Sequence, residues 1–278
     1  MRGNMKKKLS PFYIVSIILL SILTIIFIFP FYWIITGAFK SLSDAIAVPP
    51  QWWPENPTSA NFVQLFNNPA LKWLTNSILI SGITMILVCA TSSLAGYVLA
   101  KKRFYGQKIL FSIFIVAMAL PKQVILVPLV SMVSYMGIHD TIWAVILPLI
   151  GWPFGVFLMK QFSENIPLEL LESAKIDGCT ELRTFISIAF PIIKPGFAAL
   201  AIFTFINTWN DYFMQLVMLS SRSNLTISLG VATLQAEFAT NYGLIMAGAT
   251  LAAIPIVAVF VIFQKSFTQG ITMGAVKG

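Results

Sequence analysis

Charge is the scarcest property of this 278-residue chain. Asp, Glu, Lys and Arg make up only 10% of it, against about a quarter in soluble domains. A water-facing surface is excluded by that shortage, because 58% of the residues are hydrophobic and the mean hydropathy is +0.85. Histidine occurs once, at His139, and the two cysteines, Cys89 and Cys179, have no CxxC partner. A zinc or redox centre therefore lacks a ligand set, a disulfide between such distant thiols is not expected, and no metal ligand is assigned. The chain has no GxxxxGK[ST] phosphate loop to hold a nucleotide and no GxSxG serine for the histidine to serve. No residue is assigned a catalytic role.

Long apolar runs are what the chain has instead. Six are readable, about 12–35, 76–100, 109–131, 141–160, 197–219 and 244–264, each with at most one or two formal charges. A bilayer span needs roughly 20 such residues. Unbroken hydrophobicity excludes a transmembrane barrel, whose strands alternate, and helices satisfy their own backbone in lipid. The fold class is an all-α polytopic transmembrane bundle of six spans. Arg2, Lys6, Lys7 and Lys8 before the first run imitate a signal peptide, but that run outlasts a signal core of about 7–15 residues and no small-x-small cleavage site follows. It is expected to remain as a span.

Orientation follows from the basic residues. With the N-terminus inside, Arg2, Lys6, Lys7, Lys8, Lys101, Lys102, Arg103, Lys108, Lys160, Lys175, Arg183, Lys194, Lys265 and Lys277 are cytoplasmic, 14 of the 18. Lys40, Lys72, Lys122 and Arg222 fall outside or near the outer boundary. Both termini, residues 1–11 and the tail 265–278, are thus expected in the cytoplasm, with 12–278 forming a single transmembrane domain. The net charge of +8 is then a topology signal, and no nucleic acid is expected as partner, since the basic residues are scattered over separate loops.

Punctuation inside the spans predicts their shape. Pro121 and Pro128 in the third and Pro148 and Pro153 in the fourth forecast kinks or unwound pieces. Ser92, Gly96 and Ala100, like Gly248 and Ala252, let helix backbones approach closely. Outside, Pro49, Pro50, Pro54 and Pro57 forbid regular helix across the middle of 40–75, where Trp52 and Trp53 suit an interfacial anchor or a docking surface. That segment and 220–243 are long enough to meet an external partner.

The cytoplasmic stretch 161–195 reads as helix, turn, helix. Pro167 suits a first helical turn, and Glu169 and Glu172 lie near its positive end. Gly178 closes that helix and Thr180 caps a second, about 181–189, which places Leu182, Phe185, Ile186 and Ala189 on one face until Pro191 stops it. Two readings follow: a helix lying under its own bundle, or one docked in a partner's groove.

Glu172-Ser173-Ala174, then Gly178, Ile188 and Pro191, resemble the EAA loop of permease subunits of ATP-binding-cassette importers. That pattern is Glu-Ala-Ala, three residues, Gly, nine residues, Ile, one residue, Leu-Pro. Ser173 stands for Ala and Phe190 for Leu. Pro50-Gln51-Trp52-Trp53-Pro54 with Asn61-Phe62, Trp209-Asn210-Asp211, and the ending from Gly270 to Gly278 are similar to the carbohydrate importers of the maltose type, and to the smaller of their two permeases.

The resemblance implies a multi-pass protein of a bacterial-type cell membrane, half of a translocation pathway. Its partners would be a second homologous permease in a heterodimer, two ATP-binding subunits that use ATP and Mg, an extracytoplasmic solute-binding protein, and a sugar or oligosaccharide. This chain would bind no cofactor itself. Glu172, Ser173, Ala174, Asp177, Gly178, Ile188 and Pro191 would hold and shape the coupling helices, Leu182, Phe185 and Ile186 would fill the ATPase groove, and Lys277 would anchor the tail inside or reach the ATPases. A polyol or sugar phosphate is the alternative cargo.

In the fifth span Asn207, Asn210, Asp211 and Met214 recur at i, i+3, i+4 and i+7, one polar stripe on an apolar helix. Polar groups at membrane depth face a bundle interior or a water path. Amide and carboxylate acceptors suit sugar hydroxyls, and Trp209 or Tyr212 offers a flat apolar surface. Alternatively the asparagines bond neighbouring helices and Asp211 lies in water at the outer boundary. An ion-coupled secondary transporter would also show an intramembrane acid, but no internal repeat is visible.

Overall fold

A computed structural model describes the backbone of residues 11–275 and the side chains of 11–263. Arg2, Lys6, Lys7 and Lys8, and the side chains of Lys265 and Lys277, lie outside the described residues. Within them every regular element is a helix: α1 (Pro11–Gly37), α2 (Leu42–Ala45), α3 (Ala60–Phe66), α4 (Ala70–Lys101), α5 (Gln107–Met118), α6 (Lys122–Tyr135) and α7 (Ile142–Leu149). There follow α8 (Pro153–Glu164), α9 (Leu168–Ile176), α10 (Glu181–Trp209), α11 (Tyr212–Met218), α12 (Ile227–Glu237) and α13 (Tyr242–Ala275). Four of them, α1, α4, α10 and the 242–263 part of α13, are individually long and apolar enough to cross a membrane; the bent pairs α5–α6 and α7–α8 raise the number to six.

Two compact units form, residues 11–68 with 234–251, and 69–233 with 252–275. In the first, α1 is apolar on every side and its large side chains from Phe12 to Phe31 stand exposed, as a helix surrounded by lipid or another chain requires. Its end is packed: a Cβ on Gly37 would lie 2.0 Å from the Met246 sulfur of α13. The proline-rich segment folds back on that end. Asn61 donates to the carbonyls of Ala38 (2.9 Å) and Lys40 (2.8 Å), the Tyr32 hydroxyl donates to Trp52 O at 2.7 Å, and the Trp52 ring meets Trp33 edge-on at 6.1 Å. Lys40 is buried, 4.2 Å above the Trp33 ring, and donates to Gln51 O. Burial pushes its ammonium pKa down and the Asp44 charge offsets part of that.

The second unit is built on α4, which packs along α8 and α10. Close approach is possible because the small residues align: a Cβ on Gly96 would sit 2.6 Å from the Lys160 backbone nitrogen, and one on Gly155 would sit 2.4 Å from Ser92 Oγ. The core between these helices gathers Val88, Cys89, Tyr97, Met159, Phe185, Ile193 and Leu200. Cys89 and Cys179 are both free thiols.

Two expected spans take different shapes. The third, read as 109–131, bends by 104° between α5 and α6, with Pro121 immediately before α6. The fourth bends by 43° before Pro153, the first residue of α8. Proline lacks the N–H that would continue each ladder, and the breaks fall there. The expected stop at Pro191, by contrast, does not occur. α10 opens into a π turn over Phe185–Ala189, where the Phe190 N–H donates to Phe185 O five residues back. That widened turn admits the proline without ending the helix. So the helix that carries the fifth apolar run extends from Glu181 to Trp209, rather than from 197 to 219.

Candidate functional site

The three helix breaks of the second unit meet at one cavity of about 450 Å³. Met118 and Lys122 line it from either side of the first break, Leu149 and Trp152 from the second, and Asp211 and Met214 from the third, between α10 and α11. A broken helix leaves backbone N–H and C=O groups without partners, which at membrane depth is tolerated only where protein buries them or water reaches them. One shared cavity answers all three breaks. Its walls are mainly apolar, with Lys122, Gln123 and Asp211 as the polar side chains, and its volume lies in the roughly 300–1,000 Å³ range of small-molecule sites.

Asp211 is the best placed of the expected pathway residues. One carboxylate oxygen caps α11 by accepting from Met214 N–H at 3.3 Å, and the other accepts from Lys122 Nζ, also at 3.3 Å. Its side chain is 14% exposed and that of Lys122 is 50% exposed. The continuous polar stripe through 207, 210, 211 and 214 is not formed, because the helix ends at Trp209 and Asn210 and Asp211 lie in the break. Asn207 and Asn210 are exposed, and each donates its amide N–H to the carbonyl four residues back in α10, at 2.8 Å to Phe203 and 3.0 Å to Ile206. Trp209 is buried and stacked on Phe205 at 5.7 Å, so it offers no open platform. Tyr212 is exposed, edge-on to Phe213 at 6.0 Å. Gln215 fixes the break by donating to Thr208 O at 2.8 Å.

Lys122, Gln123 and Trp152 were missed as site residues by pattern reading. A lysine directly after a proline inside an apolar run is the one signal that marks them, since a charge there needs both a partner and a wet space.

The other candidate surface lies at the end of the unit where α4 finishes at Lys101. Here α9 closes by a full Schellman pattern: Gly178 N–H donates to Lys175 O (3.2 Å) and Cys179 N–H to Ala174 O (2.9 Å), with Gly178 at φ 75°. Thr180 caps α10 through the Arg183 N–H. Glu172, Ser173, Asp177 and Pro191 are exposed, Ala174 is buried and Ile188 is half-buried. Ser173 donates its hydroxyl to Leu170 O at 3.1 Å. The face expected from Leu182, Phe185, Ile186 and Ala189 divides in two. Phe185 and Ala189 turn into the core, Phe185 lying 5.3 Å from the Tyr97 ring, while Leu182 (62% exposed) and Ile186 (57%) point out. Burial of Phe185 against Tyr97 favours that rotation, Glu181 pairs with Lys102 on the exposed side, and the π turn shifts the register. Lys101 Nζ donates to Glu164 O at 3.1 Å and Ile166 O at 2.6 Å, tying the segment before α9 to α4.

At the other end of α4, Trp73 Nε1 donates to Arg222 O at 2.6 Å and Asn76 donates to the carbonyls of Ser223 and Leu225. Asp140, at φ 61°, accepts from the backbone of Ser220 (2.8 Å) and Ser221 (3.0 Å) and from the Ser221 hydroxyl. Burial raises its pKa, but these bonds together outweigh burial and hold it below the ordinary value. Among the described residues no three His, Cys, Asp or Glu side chains gather as a metal site would.

Comparison with known proteins agrees with this architecture. A family model described as binding-protein-dependent transport system inner membrane component matches residues 92–273, from α4 into α13. The arabinooligosaccharides transport system permease protein of Halalkalibacterium halodurans is 34% identical over 281 residues, covering 99% of this chain and 100% of that protein. The lactose transport system permease protein of Rhizobium radiobacter is 31% identical, covering 95% and 96%. Among solved structures, a bacterial ABC transporter involved in the import of the acidic polysaccharide alginate contains a chain that superposes with a TM-score of 0.82 at 19% identity, covering 92% of this chain and 96% of that one. The chain belongs to the family of binding-protein-dependent transport system inner membrane components, multi-pass proteins of the cell membrane.

Proposed function

We propose that this chain is one permease of a binding-protein-dependent ATP-binding-cassette importer for a sugar or oligosaccharide, and supplies half of the translocation pathway. The observation that supports it most directly is the convergence of three helix breaks on one cavity with Asp211, Lys122 and Gln123 in its wall. Discontinuous helices around a polar-edged space are how membrane proteins present backbone and side-chain groups to a polar cargo. The relatives named for arabinooligosaccharides and lactose give that cargo its class.

Drive comes from the opposite end. The α9 turn and the start of α10 face the cytoplasm, where Leu182 and Ile186 enter a groove of one ATP-binding subunit. An exposed apolar pair at the start of a helix, held by an inward anchor, suits helix-in-groove recognition. Two such subunits, one under each permease of a heterodimer, handle ATP and its magnesium. A solute-binding protein delivers the sugar from outside. Movement of the docked helices then reaches the cavity as a two-state rearrangement of packed elements.

The test is reconstitution. This chain, its partner permease and the ATP-binding subunits are assembled in liposomes, and ATP hydrolysis and sugar uptake are measured with and without loaded binding protein. Both should rise together on its addition. Uptake driven by an ion gradient, with no need for ATP, would refute the assignment.

A further inference from the structure

Lys122 and Asp211, together with Leu149 and Trp152, border two spaces of unequal size. The larger is the cavity of about 450 Å³; the smaller is a void of about 10 Å³, the room of one water, lined by Thr84, Asn207 and Thr208 beside the same ion pair. Thr84 is fully buried, and its hydroxyl has no hydrogen-bond partner in the protein. Buried polar groups in native proteins almost always have a partner, so this hydroxyl points to an occupant, a water or another hydroxyl.

The two charged residues stand at helix breaks. Lys122 opens α6 after the 104° bend, and Asp211 lies between α10 and α11. Their single 3.3 Å contact therefore ties two discontinuities together. An ion pair whose lysine is half exposed is weakly held, and the flexible lysine stem lets the ammonium leave without moving backbone. Asp211 keeps its capping bond to Met214 when it does, so the helix break survives the opening.

We propose that the Lys122–Asp211 pair is a latch. Closed, it divides the cavity from the Thr84 void. Open, it joins them into one polar channel, in which hydroxyls of a neutral polyhydroxylated ligand replace the lysine on Asp211 and reach Thr84, Asn207 and Thr208. Neutrality follows from charge balance, since the two side chains already compensate one another. A carboxylated ligand would compete with Asp211 for Lys122. Only the identity of the ligand rests on the import reading; the latch itself rests on the geometry.

The experiment reads access to the void. Thr84→Cys is made in a Cys89→Ala, Cys179→Ser background and placed in nanodiscs with the assembled transporter, both faces open to solution. Its labelling rate by the anionic thiol reagent 2-sulfonatoethyl methanethiosulfonate is then measured. With the pair intact, or conserved by Lys122→Arg, labelling is slow. Lys122→Met and Asp211→Asn, the latter still able to cap α11, should each speed it by about tenfold or more, because thiol reactivity follows access and thiolate fraction. Equal rates in intact and broken pairs, whether all slow or all fast, would overturn the latch. Labelling needs no transport, so a failure of ATP-driven uptake in the unaltered protein counts against the import reading and leaves these rates standing.

Discussion

Phe185 and Leu182 lie three residues apart and are predicted to fail in opposite ways when truncated to alanine. Phe185 is 9% exposed, with its ring 5.3 Å from Tyr97 and 6.4 Å from Phe190. Burying such a ring is worth roughly 1.5–3 kcal/mol, and an aromatic pair adds roughly 0.5–1.5 kcal/mol. Phe185→Ala should therefore destabilise the chain by about 3 kcal/mol, with a cavity left beside α4. Leu182 is 62% exposed, so little folding energy rides on it. Burial of that exposed part in a partner groove is worth about 1–2 kcal/mol, and Leu182→Ala should weaken ATP-binding-subunit association roughly five- to thirtyfold. The assay is a thermal melt of the solubilised chain beside a titration of the purified ATP-binding subunit. If Phe185→Ala melted like the unaltered chain yet lost its partner, the inward rotation of that ring would be wrong. The groove face would then be Leu182, Phe185 and Ile186 together.

Gly178→Val forces a branched side chain into φ 75° and breaks the Schellman closure of α9; it should cost about 1–2 kcal/mol locally and lower ATPase association in a pull-down, with membrane insertion unchanged. Gly96→Ala drives a methyl against the Lys160 and Met159 backbone and should lower stability by about 1–3 kcal/mol, read as a fall in melting temperature; an unchanged melt would refute the close α4–α8 approach. Asp140 has a depressed pKa, so its contribution is present in full above the ordinary carboxylate value of 3.8 and is lost as pH falls through the lower folded value. Exchange protection of the Ser220 and Ser221 amides should follow that loss, and Asp140→Ala should remove the protection already at neutral pH.

Local chemistry was legible from the chain wherever one residue settles the outcome. Gly178 and Thr180 announce a stop and a start because only a few residue types perform those tasks, and the Ser92–Gly96 spacing announces a close helix contact. Long apolar runs announce α1 and α4 for the same reason. What was hidden depends on partners distant in sequence. Whether a proline ends a helix depends on the turn before it: Pro121 follows a break, whereas Pro191 follows a π turn and is absorbed. Phe185 and Ile186 are indistinguishable by periodicity, and packing against Tyr97 of α4, far away in sequence, accompanies the inward turn of Phe185. Lys122 and Asp211 lie in different spans, and no spacing rule connects them.

The absorbed proline changes the mechanical argument more than any other difference. Had the second helix stopped at Pro191, movement of a docked Leu182 would have to cross a flexible joint before reaching the fifth span. Instead α10 runs for 29 residues, about 43 Å at 1.5 Å per residue, longer than the roughly 30 Å hydrocarbon core of a bilayer. Leu182 and Ile186 sit at one end of that rod, and Asn207, Trp209 and the Asp211 break at the other. Along it, Phe185, Ile193 and Leu200 are packed in the core shared with α4 and α8, so the rod cannot tilt without sliding against them. A closely packed interface of that kind has discrete arrangements rather than a continuum. If Leu182 and Ile186 dock as proposed, a push at that end is delivered to the α10–α11 break, where the helix is interrupted. Asp211 is the residue that occupies it.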